Sequence, residues 1–190
     1  AGKTVVALMA MAAVAEGGAQ SALMAPTELL ASQHFRTLKP LCDAAKLNVV
    51  LLTGKSTAAE RRAAREAIAN GEMDIVVGTH ALFQADVTFH DLGLVVVDEQ
   101  HRFGVHQRLA LSDKGKAADL LVMTATPIPR TLVLANFGDM AVSVLREKPA
   151  GRQPIDTAVL SIREYSRVID RLKARIAEGA QAFWVTPLVE

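Results

Sequence analysis

Apolar residues along this chain fall into two kinds of run. Short continuous runs at residues 21–25, 49–52, 75–77, 94–97 and 120–123 are each followed by turn formers or by a polar cluster. Runs of that length and continuity predict strands buried on both faces. Longer stretches between them carry helical signals. Residues 5–16 predict a buried helix closed by Gly17-Gly18. Thr27 predicts the N-cap of a helix carrying Leu29, Leu30 and Phe35 and disturbed at Pro40. Thr57-Ala58-Ala59-Glu60 has the form of a capping box, opening an Arg- and Ala-rich helix that stops near Asn70-Gly71. Strands of this kind alternating with helices predict an α/β fold with a parallel sheet covered on both sides.

The pattern changes near Arg146. Residues 147–154 hold two prolines, one glycine and the charged Glu147, Lys148 and Arg152, which suits an exposed linker. Beyond it, residues 155–160 predict a strand. Ser161-Ile162-Arg163-Glu164 predicts a second capping box, heading a helix with Val168, Leu172 and Ile176 on one stripe. Gly179 ends that helix and residues 182–185 predict a further strand. The expected organisation is therefore a domain over 1–146, a linker over 147–154 and one β-α-β unit over 155–190.

Composition narrows the function classes. In 190 residues, 51% are hydrophobic and 21 basic side chains nearly balance 20 acidic ones. That excludes a disordered charged tail and a histone-like basic protein. One cysteine, Cys42, excludes an internal disulfide and points to a reducing compartment. Aromatics at 4% argue against base-stacking platforms. The eleven apolar residues 5–15 behind Lys3 superficially resemble a secretory signal. The absence of an initiator Met and the Gly2-Lys3-Thr4 sequence argue against that. Those three residues instead match the tail of a phosphate-binding loop, whose first half and preceding strand would then be missing.

Three clusters sit where a sheet-based ATPase needs them, past the carboxyl ends of strands. In a phosphate-binding loop, Lys3 reaches the β- and γ-phosphates and the Thr4 hydroxyl binds Mg2+ at a helix N-terminus. The run at 94–97 delivers Asp98 to hold the metal, through water, and Glu99 to polarise the attacking water. The strand at 120–123 ends in Thr124-Ala125-Thr126-Pro127, whose hydroxyls can reach Glu99, Gln100 or His101 on the neighbouring strand. Read singly, each cluster admits a plainer alternative: an ordinary helix start, an acid pair at a solvent edge, a capped turn before proline. His101 alone is an ordinary hydrogen-bonding residue, and no His, Cys or Asp set has zinc spacing.

Read together, GKT, PTELL, VVGTHAL, DEQH and TATP follow the motif order of superfamily 2 helicases and translocases. DEQHRFGVHQR, VMTATPIPRTL, MAPTELLASQH and WVTPLVE further resemble the RecG family of bacterial ATP-dependent branched-DNA helicases, across essentially the whole chain. The resemblance implies a RecA-like P-loop domain with a parallel sheet (its first strand missing) and the start of a second RecA-like domain. It implies that Gly2, Lys3 and Thr4 form motif I and that Asp98, Glu99, Gln100 and His101 form motif II, with Glu99 the catalytic base. Motif III would be Thr124, Ala125 and Thr126, coupling hydrolysis to DNA contact. Pro26, Thr27 and Glu28 (motif Ia) with Gly78, Thr79 and His80 (motif Ib) would hold one DNA strand by its phosphates, and Arg102-Phe103-Gly104 would relay between ATP and DNA or simply form a packing turn. ATP and Mg2+ are the implied cofactors, and forks or Holliday junctions the implied DNA. A monomer in the bacterial cytoplasm, without membrane contact, is also implied.

The departures bear on activity. The glycine-rich half of motif I, the adenine-reading segment and the wedge domain of the family are expected before residue 1. Motifs V and VI, with their arginine finger, are expected beyond Glu190. Thr186 stands where the family has Cys. Alternatives are an Mfd-type transcription-repair coupling translocase, which usually has Glu at Gln100, a P-loop phosphotransferase, or a catalytically inactive binding fragment.

Overall fold

A computed structural model of the chain describes residues 2–84, 86–98, 118–125, 141–146, 151 and 155–186. The chain divides into two compact units, Ala1–Pro149 and Ala150–Glu190. The first contains helices α1 (Lys3–Glu16), α2 (Glu28–Ala44) and α3 (Ala58–Ala69) and strands β1 (Gln20–Met24), β2 (Val49–Leu52), β3 (Ile75–Gly78), β4 (Leu92–Asp98) and β5 (Asp119–Met123). A 3-10 turn, His80–Phe83, follows β3. The five strands form one all-parallel sheet in the order β2-β3-β1-β4-β5. The expected α/β class and all five expected strands of this unit are present.

Alternation along the strands sorts side chains between two cores. On one face Leu23, Ile75, Val77, Leu94 and Val96 pack with Ala7 and Met11 of α1 and Ala31, Leu38 and Cys42 of α2. On the other, Ala22, Met24, Val76, Val95 and Val97 pack with Ile68 of α3 and with Leu82 and Val87. The central strands β1 and β3 are buried throughout, whereas the edges β2 and β5 are only partly covered. That explains why the central runs read as uninterrupted apolar sequence.

Local signals explain the helix starts. Thr27 Oγ1 accepts from the Leu30 N–H at 3.3 Å. Thr57 and Glu60 make the full reciprocal capping box, with the Thr57 N–H donating to Glu60 Oε2 at 2.7 Å. This bond holds the Glu60 carboxyl below its ordinary pKa. Pro40 does not disturb α2, which continues to Ala44. Pro40 lies on the exposed face, where the carbonyl it leaves unbonded faces water rather than core. Gln20 is buried at the amino end of β1 and joins three segments. Its Nε2 donates to the carbonyls of Ile68 (3.1 Å) and Met73 (2.7 Å), while Oε1 accepts from the His90 N–H (2.8 Å).

The second unit departs from expectation. Residues 155–160 and 182–185 form no strand. A strand needs a neighbouring backbone to satisfy its N–H and C=O groups, and neither segment has such a pairing among the described residues. Their apolar side chains lie open, Val159 at 98% and Phe183 at 93% exposure. Ser161 caps a 3-10 turn (Ile162–Glu164) by accepting from the Arg163 N–H, so the expected capping box is not made. Helix α4 (Tyr165–Ala177) starts one turn later. The Tyr165 and Trp184 rings meet edge to face with centroids 5.7 Å apart. Among the described residues, no helix is long and apolar enough to cross a membrane.

Candidate nucleotide and nucleic-acid site

Lys3 and Thr4 occupy the first turn of α1, each half-buried. Gly2 precedes them with φ 96°, a left-handed conformation that glycine adopts without strain. Its carbonyl accepts from Val5 and Val6 and so begins the helical ladder. The main-chain N–H groups of such a terminus, with the positive end of the helix dipole, suit an anion.

The position of that terminus follows from the packing of α1 on β1 and β4. Near its far end, Val14 lies so close to Gly93 that a Cβ on Gly93 would come within 3.1 Å of it. Eleven residues of helix rise about 16–17 Å. The five residues from Gly93 to Asp98 rise about the same along a strand. Helix α1 therefore begins near the level at which β4 ends. Asp98 also shares strand parity with Leu94 and Val96, which face α1 and α2. The Lys3-Thr4 turn and the Asp98 carboxylate thus belong to one rim and one face of the sheet.

Asp98 is 8% exposed. Its Oδ2 lies 2.8 Å from His34 Nε2 on α2. Asp98 pairs in register with Met123, so Thr124 and Ala125 extend directly beyond it on the next strand. Glu99, Gln100, His101, Arg102, Phe103, Gly104 and Thr126 lie outside the described residues.

A second set of expected residues lies at the carboxyl ends of β2 and β3. Glu28, Thr79 and His80 line a cleft of about 410 Å³ together with Thr53, Gly54 and Arg61. Pro26 and Thr27 lead into it ahead of α2. Gly78 closes β3 where the Leu52 carbonyl approaches, leaving no room for a Cβ, which would come within 2.5 Å of that oxygen. The turn at 53–56 is gripped from both sides. Glu28 presses on Gly54, and Arg61 Nη1 donates to the carbonyls of Gly54 (3.0 Å) and Ser56 (2.9 Å). This turn, Arg61 and His34 were not singled out from sequence. The 53–56 turn carried a signal in Thr53-Gly54 at a strand end, and His34 closes the MAPTELLASQH segment quoted for the resemblance, without a role of its own.

Among the described residues, no three His, Cys, Asp or Glu side chains cluster to hold a metal. A phosphate-bound Mg2+ does not need such a cage, since one or two protein oxygens and the phosphates complete its shell. A buried carboxylate beside a helix start bearing a threonine hydroxyl fits that donor set.

Comparison with known proteins decides the family. The DEAD/DEAH box helicase profile matches residues 1–134. The chain belongs to the DEAD/DEAH box helicase family. The ATP-dependent DNA helicase RecG of Streptococcus pneumoniae is 50% identical over 189 residues, covering 100% of this chain and 28% of that protein. RecG of Staphylococcus aureus is 48% identical, with 27% of its length covered. This helicase-family chain thus spans about a quarter of the length of those relatives. The structure of RecG bound to a three-way DNA junction superposes with a TM-score of 0.82 at 43% identity, covering 100% of this chain and 25% of that one. The helicase domain of Pyrococcus furiosus Hef gives 0.53 at 27% identity, covering 72% of this chain and 31% of that one. The resemblance to RecG and the RecA-like fold expected from sequence are borne out.

Proposed function

We propose that this chain is part of the ATP-driven motor of a RecG-type DNA helicase acting on forks and Holliday junctions, with residues 1–146 in its first RecA-like domain and 155–190 opening its second across a 147–154 linker. The observation that carries this is the shared rim and face of the Lys3-Thr4 helix start and Asp98. In this reading the Lys3 ammonium and the α1 N-terminus bind the β- and γ-phosphates. Thr4 and Asp98 would hold Mg2+, which when bound neutralises phosphate charge. Glu99 follows Asp98 directly and accepts the proton of the attacking water. Gln100, His101 and the Thr124-Ala125-Thr126 segment communicate hydrolysis to the DNA side. Arg102 and Phe103 extend that relay.

DNA lies along the neighbouring cleft, its phosphates taken by Thr27, Thr79 and His80 and by main-chain amides near Pro26, Glu28 and Gly78. Phosphate contacts of that kind position a strand without reading its sequence. The RecG relatives, one of them solved on a three-way junction, support a branched-DNA substrate.

The test uses the whole protein that contains this segment. Glu99→Gln should leave binding of a fluorescent ATP analogue nearly unchanged while DNA-stimulated hydrolysis falls by orders of magnitude, on the order of 100-fold or more. Turnover that survives the substitution refutes the assignment of Glu99.

A further inference from the structure

His34 stands on α2, about two turns beyond the Thr27 cap. Its ring and the Asp98 carboxylate are each 12% exposed, and they meet at 2.8 Å. An ionised carboxylate can only accept, so the ring N–H at Nε2 donates to Oδ2. A donor on one oxygen limits the rotation of a carboxylate and thereby helps to aim its other oxygen. Residues that orient a metal-binding group in this way act through that group rather than on the ligand.

Resting on the motor reading of Asp98, we propose that His34 is a positioning residue for the Mg–nucleotide site. From the helix that Thr27 caps and that begins at the cleft residue Glu28, it holds the Asp98 carboxylate in its metal-binding orientation. The bond ties two neighbouring regions of the rim together: α2 opens at the cleft of Glu28, Thr79 and His80, and His34 carries the same rigid helix to the acid at the end of β4. A purely structural bond would serve equally well with any group that fills the space and satisfies Asp98 in the folded state. A positioning bond must also set how readily Mg2+ binds.

The experiment measures, in the whole protein, the Mg2+ concentration needed for half-maximal binding of a fluorescent ATP analogue, without hydrolysis. His34→Leu keeps the bulk and removes the donor; it should raise that concentration about tenfold. His34→Gln keeps a donor of similar reach and should return it to within about threefold of the parent. Should the leucine variant not fold, His34→Asn, whose amide is too short to span the gap, should behave as the leucine does. An unchanged Mg2+ requirement in the His34→Leu or His34→Asn variant, or a His34→Gln variant as impaired as they are, overturns the proposal. Lys3→Ala separates the two readings. If it binds the analogue as well as the parent, the motor reading falls and this proposal with it. If it loses binding while His34→Leu keeps the parental Mg2+ requirement, only the role of His34 falls.

Discussion

The two ends of the sheet each bury a polar side chain, and they treat it differently. At the amino end, Gln20 has partners for both its amide nitrogen and its oxygen, all of them main-chain groups of the α3 terminus and the loops beside it. At the carboxyl end, Asp98 brings a carboxylate to a rim shared with a helix N-terminus, and a side chain, His34, orients it. Buried polar groups cost free energy unless paired, so both arrangements must be compatible with folding. The amide is neutral and matched to fixed backbone, which suits a structural clasp. The carboxylate shares its rim and face with the positive end of a helix dipole, a place that favours further anionic and cationic ligands.

Substitutions can break that contrast, beginning with the largest effect. Asp98→Ala in the whole protein should reduce DNA-stimulated ATPase by about 100-fold or more while leaving the unfolding midpoint within a few degrees of the parent. A large loss of stability with little loss of turnover would make Asp98 the same kind of residue as Gln20. Gln20→Ala should do the opposite. The Ile68 and Met73 carbonyls and the His90 and Asp91 N–H groups each lose a bond to Gln20, and chemical denaturation should register a loss of about 3 kcal/mol. Nucleotide affinity of the folded protein should be unchanged.

A smaller effect is expected at α3, away from both ends. Thr57→Ala removes the hydroxyl half of the capping box and should cost about 1 kcal/mol at neutral pH. The Thr57 bonds lower the Glu60 pKa, so their contribution is present above the ordinary glutamate value and lost as pH falls through the lowered one. The main-chain N–H at position 57 survives this substitution and still donates to Glu60, so only the share that the Thr57 hydroxyl adds should disappear from the gap in acid, and a gap constant with pH would show that the hydroxyl adds nothing to Glu60. Smallest of all, burial raises the Cys42 thiol above its ordinary pKa. It should resist alkylation by a thiol reagent at pH 8 until denaturant is added. This raised value favours the native state at neutral pH, and that contribution fades as pH climbs through the alkaline range.

Much of this was legible in the chain because it depended on near neighbours. The Thr27 and Thr57 caps follow from residues three positions apart, and the strand runs from burial on both sheet faces. The acid at the end of the 94–97 run was also visible, since a strand's apolar run and its polar terminus adjoin in sequence. Pro40 misled because its consequence depends on which face of α2 meets water. The strands expected at 155–160 and 182–185 misled for a related reason, since pairing needs a partner that apolar pattern does not supply. His34 and Arg61 escaped notice because their partners lie 64 positions away and on a loop carbonyl respectively.

The α/β class, the helix caps, the order of the motif residues and the family they resemble could all be read from the chain alone, since each rests on local pattern or on long shared segments. It took the folded sheet to place β4 between β1 and β5, to turn Asp98 toward α1 and α2, and to bring His34 to it. Those outcomes depend on strand order and on side-chain parity within a closed core. Both are settled by packing between segments remote in the chain.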